Sequence, residues 1–173
     1  MLGTVGFIYG SDTGVTEEIT NDLAAKIEAQ NIEVIEVCNA NAEDFTRFDL
    51  LIIGLSTWYD GDLQSDWEDY FDTFKTIDFT EQIVAIFGLG DQLGYDDYFV
   101  DGIGMLSEVI LENGGTIIGN WPSEDYDFSA SKGLKDDSTF YGLALDEDNE
   151  PQKTPEKIEK WLVQLQEEYK AIA

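Results

Sequence analysis

Apolar residues gather in five short runs: VGFIY (5–9), IEVIEV (32–37), LLII (50–53), IVAIF (83–87) and GTIIG (115–119). Most are continuous rather than alternating, the pattern of strands buried on both faces of a parallel sheet. Between the runs the spacing lengthens. Ile19, Leu23 and Ile27 recur at every fourth position, while Trp67, Tyr70, Phe71 and Phe74 follow three-four spacing, as do Ile103, Leu106 and Ile110. Near the end, Thr154 and Pro155 give a cap and first-turn signal ahead of Ile158, Trp161, Leu162, Leu165 and Tyr169. The stripes predict helices whose apolar faces are core packing.

Strand and helix alternating this often predict a doubly wound α/β fold with helices on both faces of a five-stranded parallel sheet. One stretch interrupts the alternation. WPSEDYDFSASKGLKDDST (121–139) is polar and rich in turn residues, after which FYGLAL (140–145) reads as strand again. We read it as an insertion splitting the fifth strand, so that residues 1–173 form a single domain.

Composition narrows the chemistry. With 43% hydrophobic and 13% aromatic residues the chain is of the folded globular kind, despite a net charge of −28. It has no histidine and one cysteine, Cys38. Ser-His and Cys-His nucleophiles, His-ligated zinc or haem, internal disulfides and iron–sulfur clusters are all excluded. Any redox chemistry must come with a bound cofactor. No run is long enough to span a membrane and no basic region precedes the first strand, so we expect a cytoplasmic protein without a secretion signal.

The charge is uneven. Residues 54–131 hold 17 acids against the single base Lys75, a net −16, whereas residues 132–173 hold ten acids against six lysines, a net −4. Such a surface repels nucleic acid and anionic membranes. It suits docking to basic proteins; the plain alternative is a solvated surface or adaptation to salt, and charge alone does not decide between them.

In open α/β sheets ligands bind beyond the carboxyl ends of the strands, so the loops after strands one, three and four matter. After strand one, Ser11, Asp12, Thr13, Gly14, Val15 and Thr16 lack the lysine of a Walker loop. A helix start with free N–H groups, aided by three hydroxyls, can still hold a phosphomonoester; the plain alternative is a Ser/Thr helix cap. After strand three, Thr57, Trp58, Tyr59, Asp60 and Gly61 place large aromatics on a turn, where a Trp offers a flat face to a planar ring. After strand four, GLGDQLG (88–94) has the wrong glycine spacing for a dinucleotide fingerprint, and Tyr95 offers a second aromatic face. A phosphate cradle between two aromatic walls points to flavin mononucleotide (FMN).

In this order the segments GSDTGVTE, STWYDGDLQSDW, GLGDQLGYDDYF and GLALDEDN resemble the flavodoxin family over nearly the whole chain, and the insertion resembles its long-chain branch. The resemblance implies a sheet of strand order 2-1-3-4-5 and non-covalent FMN. Its phosphate would be held by Ser11, Asp12, Thr13, Gly14, Val15 and Thr16, and its ring would lie between Trp58 and Tyr95. Backbone groups of Tyr59, Asp60 and Gly61 would lie near flavin N5 and those of Gly90 and Asp91 at the pyrimidine edge, with Asp146 near the ribityl chain; Ser56, Thr57, Leu89, Tyr98 and Phe99 complete the implied cofactor-binding set. Ser56 stands where a proline commonly precedes Thr-Trp.

The function implied is low-potential one-electron transfer by a monomeric carrier, shuttling between an NADP-dependent flavodoxin reductase and acceptor enzymes with basic surfaces. An FMN-dependent quinone reductase or nitroreductase is the alternative on the same fold. A phosphoacceptor receiver domain would need an acidic pair after strand one and a lysine after strand five, and both are missing. DEDNE (146–150) lacks the spacing and glycine of an EF-hand.

Overall fold

A computed structural model describes all 173 residues. The first half runs β1 (Leu2–Tyr9), α1 (Val15–Lys26), β2 (Ala29–Glu36), β3 (Leu50–Trp58), β4 (Asp62–Leu63), α2 (Ser65–Phe74) and β5 (Ile83–Leu89). The second runs α3 (Asp101–Glu112), β6 (Thr116–Ile118), β7 (Trp121–Pro122), β8 (Leu134–Asp136), β9 (Thr139–Phe140), β10 (Leu143–Leu145) and α4 (Thr154–Ile172). In the main sheet β2, β1, β3 and β5 lie side by side and parallel. The far edge of β5 is shared: β6 pairs with Ile83, Val84 and Ala85, and β10 with Phe87, Gly88 and Leu89. That is the expected 2-1-3-4-5 order with the fifth strand in two pieces.

The continuous apolar runs are explained by two cores, one on each side of the sheet. Because side chains alternate along a strand, Val5, Phe7, Leu50, Ile52, Ala85 and Phe87 face α1 and α4, where they meet Leu23, Trp161 and Leu165. Ile8, Leu51, Ile53, Val84 and Ile86 face α2 and α3, where they meet Trp67, Phe74, Ile103 and Leu106. β1, β3 and β5 are therefore buried on both faces and show little polar alternation, whereas β2, at the sheet edge, has no buried residue and mixes Glu33 and Glu36 among its apolar positions.

Several boundaries differ from the sequence pattern. β1 starts at Leu2, since the ladder to β2 continues down to the Leu2–Ala29 pair. β3 runs on to Trp58, paired with β5 through Ser56 and then with β4 at Thr57 and Trp58. The stretch 140–145 is not one strand: Phe140 belongs to β9, and only Leu143–Leu145 joins the main sheet. The insertion, expected to be irregular, carries a small antiparallel sheet of order β7-β9-β8. Thr154 is no cap either. A 3-10 turn (Pro151–Lys153) leads into α4, and the Thr154 hydroxyl donates to the Glu147 carboxylate instead.

The insertion is seated tightly on α3. A Cβ at Gly104 would lie 1.9 Å from the Lys132 carbonyl oxygen and 2.4 Å from its carbon, leaving rigid backbone to give way. Alanine in a helix interior gains roughly 0.5–1 kcal/mol over glycine; an overpacked contact costs typically about 1–3 kcal/mol. The clash should win. Gly104→Ala is expected to lower stability by about 1–2 kcal/mol in urea unfolding; a more stable variant would contradict the seating.

Candidate functional site

Strand order reverses beside β1, and there the loops after β1, β3 and β5 surround a cleft of about 300 Å³. Sheets of this class open their ligand clefts at such a switch point.

The first loop is shaped by its own hydrogen bonds. Ser11 Oγ accepts the Gly14 N–H at 3.0 Å, and Gly14 takes a left-handed φ of +90°. No side chain caps α1, so the N–H groups of its first turn, with the positive end of the helix dipole, are left for a ligand. The side chains of Thr13 and Thr16 line the cleft beside them, with Val15 between. Asp12 is committed elsewhere: its Oδ1 accepts from Gln64 Nε2 at 3.0 Å and Ser65 Oγ at 2.6 Å. Buried Gln64 also caps α2 by accepting the Trp67 N–H at 3.3 Å. A Cβ on Gly10 would stand 1.9 Å from Gln64 Oε1, so glycine is what lets the amide in.

The second loop is a hairpin turn from β3 into β4. Tyr59 adopts φ +45° and Gly61 φ +91°. A bulky residue held in the left-handed region costs of order 1–3 kcal/mol. Trp58 is half-buried against the cleft, and its Nε1 donates to Ser56 Oγ at 2.8 Å. The serine fixes the indole. Tyr59 is 64% exposed, its ring 6.2 Å from that of Trp58.

In the third loop Gly90 N–H donates to the Leu145 carbonyl at 3.0 Å, and Tyr95, 43% exposed, stands on a turn closed by its N–H to the Asp91 carbonyl. Burial alone pushes the Asp91 acid up, but hydrogen bonds from Gly94 N–H (2.6 Å), Asn149 Nδ2 (2.7 Å) and Leu93 N–H (3.1 Å) outweigh it and hold it below the usual range. A folded-state acidity of this sign stabilises the protein above the unfolded pKa, and the contribution fades as pH falls through the folded value. Asp148 moves the other way, raised by burial and by its neighbours Asp91, Asp146 and Glu147.

Of the residues assigned from sequence, the cleft brings together Asp12, Thr13, Val15, Thr16, Ser56, Thr57, Trp58, Tyr59, Leu89, Gly90, Asp91 and Tyr95. Ser11 and Gly14 shape its first loop from behind, and Asp60 and Gly61 complete the hairpin turn. Three assignments land elsewhere. Phe99 is buried in an aromatic cluster with Tyr126, Phe128 and Phe140, ring centroids 5.5–5.8 Å apart, because α3 needs that ring for its core. Tyr98 packs below Gly61 rather than into the cleft. Asp146 is buried and its carboxylate is filled by five donors: the N–H groups of Gln92, Asp148 and Asn149 and the amides of Gln92 and Asn149, at 2.8–3.1 Å. It braces two loops. Glu147 and Asp148, which follow it, line the cleft in its place; the DEDN run marked the segment but not which acid would face inward. Nothing in the sequence marked Gln64 and Gln92 as buried ties.

The donor set fits a phosphate monoester: neutral N–H and hydroxyl groups, with no cation, at a helix start. Trp58 and Tyr95 on opposing loops fit a planar ring. Three of the four acids lining the cleft each have one carboxylate oxygen occupied by protein donors: Asp12 and Asp91 through Oδ1, and Glu147 through Oε1.

Fold and cleft together define a doubly wound α/β protein with a mononucleotide-sized site at its switch point. The chain belongs to the flavodoxin family, whose family model, described as flavodoxin, matches residues 7–161. It is 44% identical over 167 residues to the flavodoxin of Haemophilus influenzae, covering 96% of both chains. With the flavodoxin of Synechococcus elongatus it shares 41% identity, over 97% of this chain and 99% of that one. Among solved structures, Fusobacterium nucleatum flavodoxin bound to flavin mononucleotide is similar at a TM-score of 0.87 and 28% identity, covering 95% of this chain and 98% of that one. The three-stranded insertion and the length of 173 residues place the chain with the long-chain members.

Asp146→Ala should free the segments it ties without unfolding the sheet. Amide exchange at Gln92, Asp148 and Asn149 is expected to quicken at least tenfold, about 1.4 kcal/mol of lost protection, while β1 and β3 stay protected. Unchanged exchange at those three amides would contradict the bracing role.

Proposed function

We propose that this chain is an electron carrier that holds FMN non-covalently in the cleft and passes electrons singly between a reductase and acceptor redox proteins. The observation that carries this reading is a cationless phosphate cradle placed between two aromatic walls. When bound, FMN supplies the one-electron redox chemistry. The chain binds and tunes. The first-turn N–H groups of α1 and the hydroxyls of Thr13 and Thr16 hold the phosphate; Trp58, fixed by Ser56, and Tyr95 cover the ring and keep water from it. Backbone groups of Gly90 and Asp91 meet its pyrimidine edge, and the turn at 59–61 lies beside N5. No side chain serves as acid, base or nucleophile.

The acids set the energetics. A carboxylate ~10 Å from a developing negative charge costs ~1–2 kcal/mol at an effective dielectric of ~20, and ~1.4 kcal/mol equals ~59 mV for one electron. Glu147 and Asp148 line the cleft without a facing cation. Together with the acidic flank from residue 54 onward, they make the addition of charge unfavourable and the reduced protein a strong donor. The same field favours partners with basic faces, an NADP-dependent flavodoxin reductase among them. No helix is long and apolar enough to cross a membrane. We take the carrier to act as a monomeric, single-domain protein in the cytoplasm.

Walls on both sides of the ring favour a carrier over a quinone reductase or nitroreductase, which needs one flavin face open to its substrate. In a reductive titration of the FMN-loaded protein, the unpaired-electron signal should rise midway and vanish at full reduction. The loaded protein alone should not oxidise NAD(P)H with quinones or nitroarenes. Direct two-electron reduction without a radical, or substrate turnover by the isolated protein, would contradict the carrier. Reduction by a basic reductase should slow at least tenfold between low ionic strength and about 0.5 M salt, because exposed charges are screened within roughly 4–5 Å there; a rate indifferent to salt would remove electrostatic docking.

Trp58→Ala should weaken FMN binding by at least fivefold, about 1–3 kcal/mol of lost stacking, and Ser56→Ala by less, since it only frees the indole. Unaltered affinity in Trp58→Ala would remove its role as a wall.

A further inference from the structure

The turn at 59–61 does not rest on solvent. Beneath it lies the start of α3, joined to it where glycines on both sides allow close approach. Gly102 N–H donates to Thr57 Oγ1 at 2.9 Å, at the foot of the hairpin. One residue earlier, Asp101 is buried, 1% exposed. Its Oδ2 lies 2.8 Å from where a Cβ on Gly61 would be, so it faces the turn directly. Its Oδ1 accepts the backbone N–H of Lys132 at 2.7 Å, which comes from the insertion.

The insertion fixes this register. Val100, a β-branched residue, enters α3 at a left-handed φ of +48°, a conformation that surrounding structure must enforce. A Cβ on Gly133 would come within 2.9 Å of the Val100 carbonyl oxygen, and Ser131 Oγ donates to the Phe99 carbonyl. Residues 131–133 thus clamp the start of α3 and hold Asp101 beneath Gly61.

We propose that Asp101 is a positioning residue for electron transfer, orienting the peptides of the 59–61 turn against the flavin from a place set by the insertion. This deepens the FMN-carrier reading and rests on it. A carboxylate below the turn favours the peptide orientation in which an N–H points down toward it and the neighbouring carbonyl points up into the cleft. That carbonyl is then available to accept a hydrogen bond when N5 carries a proton. No other residue supplies a buried carboxylate under this turn. Burial raises the Asp101 pKa above the ordinary carboxylate value, so the ionised group is held at a cost. A residue serving packing alone would not need the charge.

The test is Asp101→Asn, which keeps the shape and an acceptor for Lys132 while removing the charge. By the sign of the acidity shift, the variant should be at least as stable as the parent near neutral pH, since the ionised form is penalised in the fold. In the cofactor-free protein its Gly61 amide resonance should move. In the FMN-loaded protein the first midpoint potential should fall and the second rise, reducing the equilibrium constant linking the two one-electron steps at least tenfold, ~59 mV. FMN affinity should stay within threefold. Gly61→Ala, which sets a Cβ against Asp101 Oδ2 from the other side, should narrow the same gap, and the two changes together should be less than additive. An unmoved Gly61 amide, or potentials that shift in parallel by equal amounts, would overturn the assignment. Should Asp101→Asn fail to fold, Gly61→Ala alone decides: an unchanged gap overturns the proposal and a narrowed one supports it. Failure of the parent protein to take up FMN would instead defeat the carrier reading, while the Gly61 amide measurement would still judge the contact.

Discussion

The site must hold an anion inside a chain of net charge −28, at a place with no lysine or arginine. The constraint decides its chemistry. Charge cannot attract the ligand, so in the proposed reading attraction comes from dipoles that folding has already oriented: the N–H groups opening α1 and the hydroxyls beside them. Oriented dipoles at a helix start need no counterion and carry little reorganisation cost. They work only if no side chain of the protein fills them first. Ser11 bonds Gly14 and Asp12 bonds Gln64 and Ser65, and both are thereby kept off the helix start.

The same economy runs through the other acids near the cleft. Asp91 accepts from Asn149 Nδ2, Asp146 from the Gln92 N–H and Asp101 from the Lys132 N–H, so that carboxylates tie together the loops around the cleft. Charges committed in this way are fixed in place. They bias the electrostatics of the cleft without competing for its ligand. The insertion belongs to this system: Asp127 N–H reaches the Gln92 side chain at 2.7 Å, and Ser129 and Ala130 N–H groups reach the Asp96 carbonyl at 2.9 and 3.0 Å. The long-chain segment is therefore part of the support for the Tyr95 loop.

The sheet was legible because burial on both faces writes itself into sequence as continuous apolar runs, and the helices because Leu23, Trp67, Ile103 and Trp161 recur at helical spacing. That the loops carrying Thr13, Thr16, Trp58 and Tyr95 converge on one cleft was legible because such residue types are uncommon in plain turns. What escaped was direction. Sequence places Phe99 and Asp146 beside the ligand, yet whether a loop residue points into a cleft or beneath it depends on packing partners far along the chain: Phe140 for the first, Gln92 for the second. The short strands of the insertion escaped for a related reason. Two- and three-residue strands carry too few positions to show a period, and β8 pairs with β9 across an irregular register.

The most direct measurement of the central claim is calorimetric titration of the cofactor-free protein with FMN and with riboflavin, which differ only by the phosphate. If neutral donors at the start of α1 hold that group, FMN binds at least a hundredfold more tightly, about 2.7 kcal/mol, and Thr13→Ala/Thr16→Ala narrows the difference. Equal affinities for the two flavins, or a preference untouched by losing both hydroxyls and by disturbing Gly14, would contradict it.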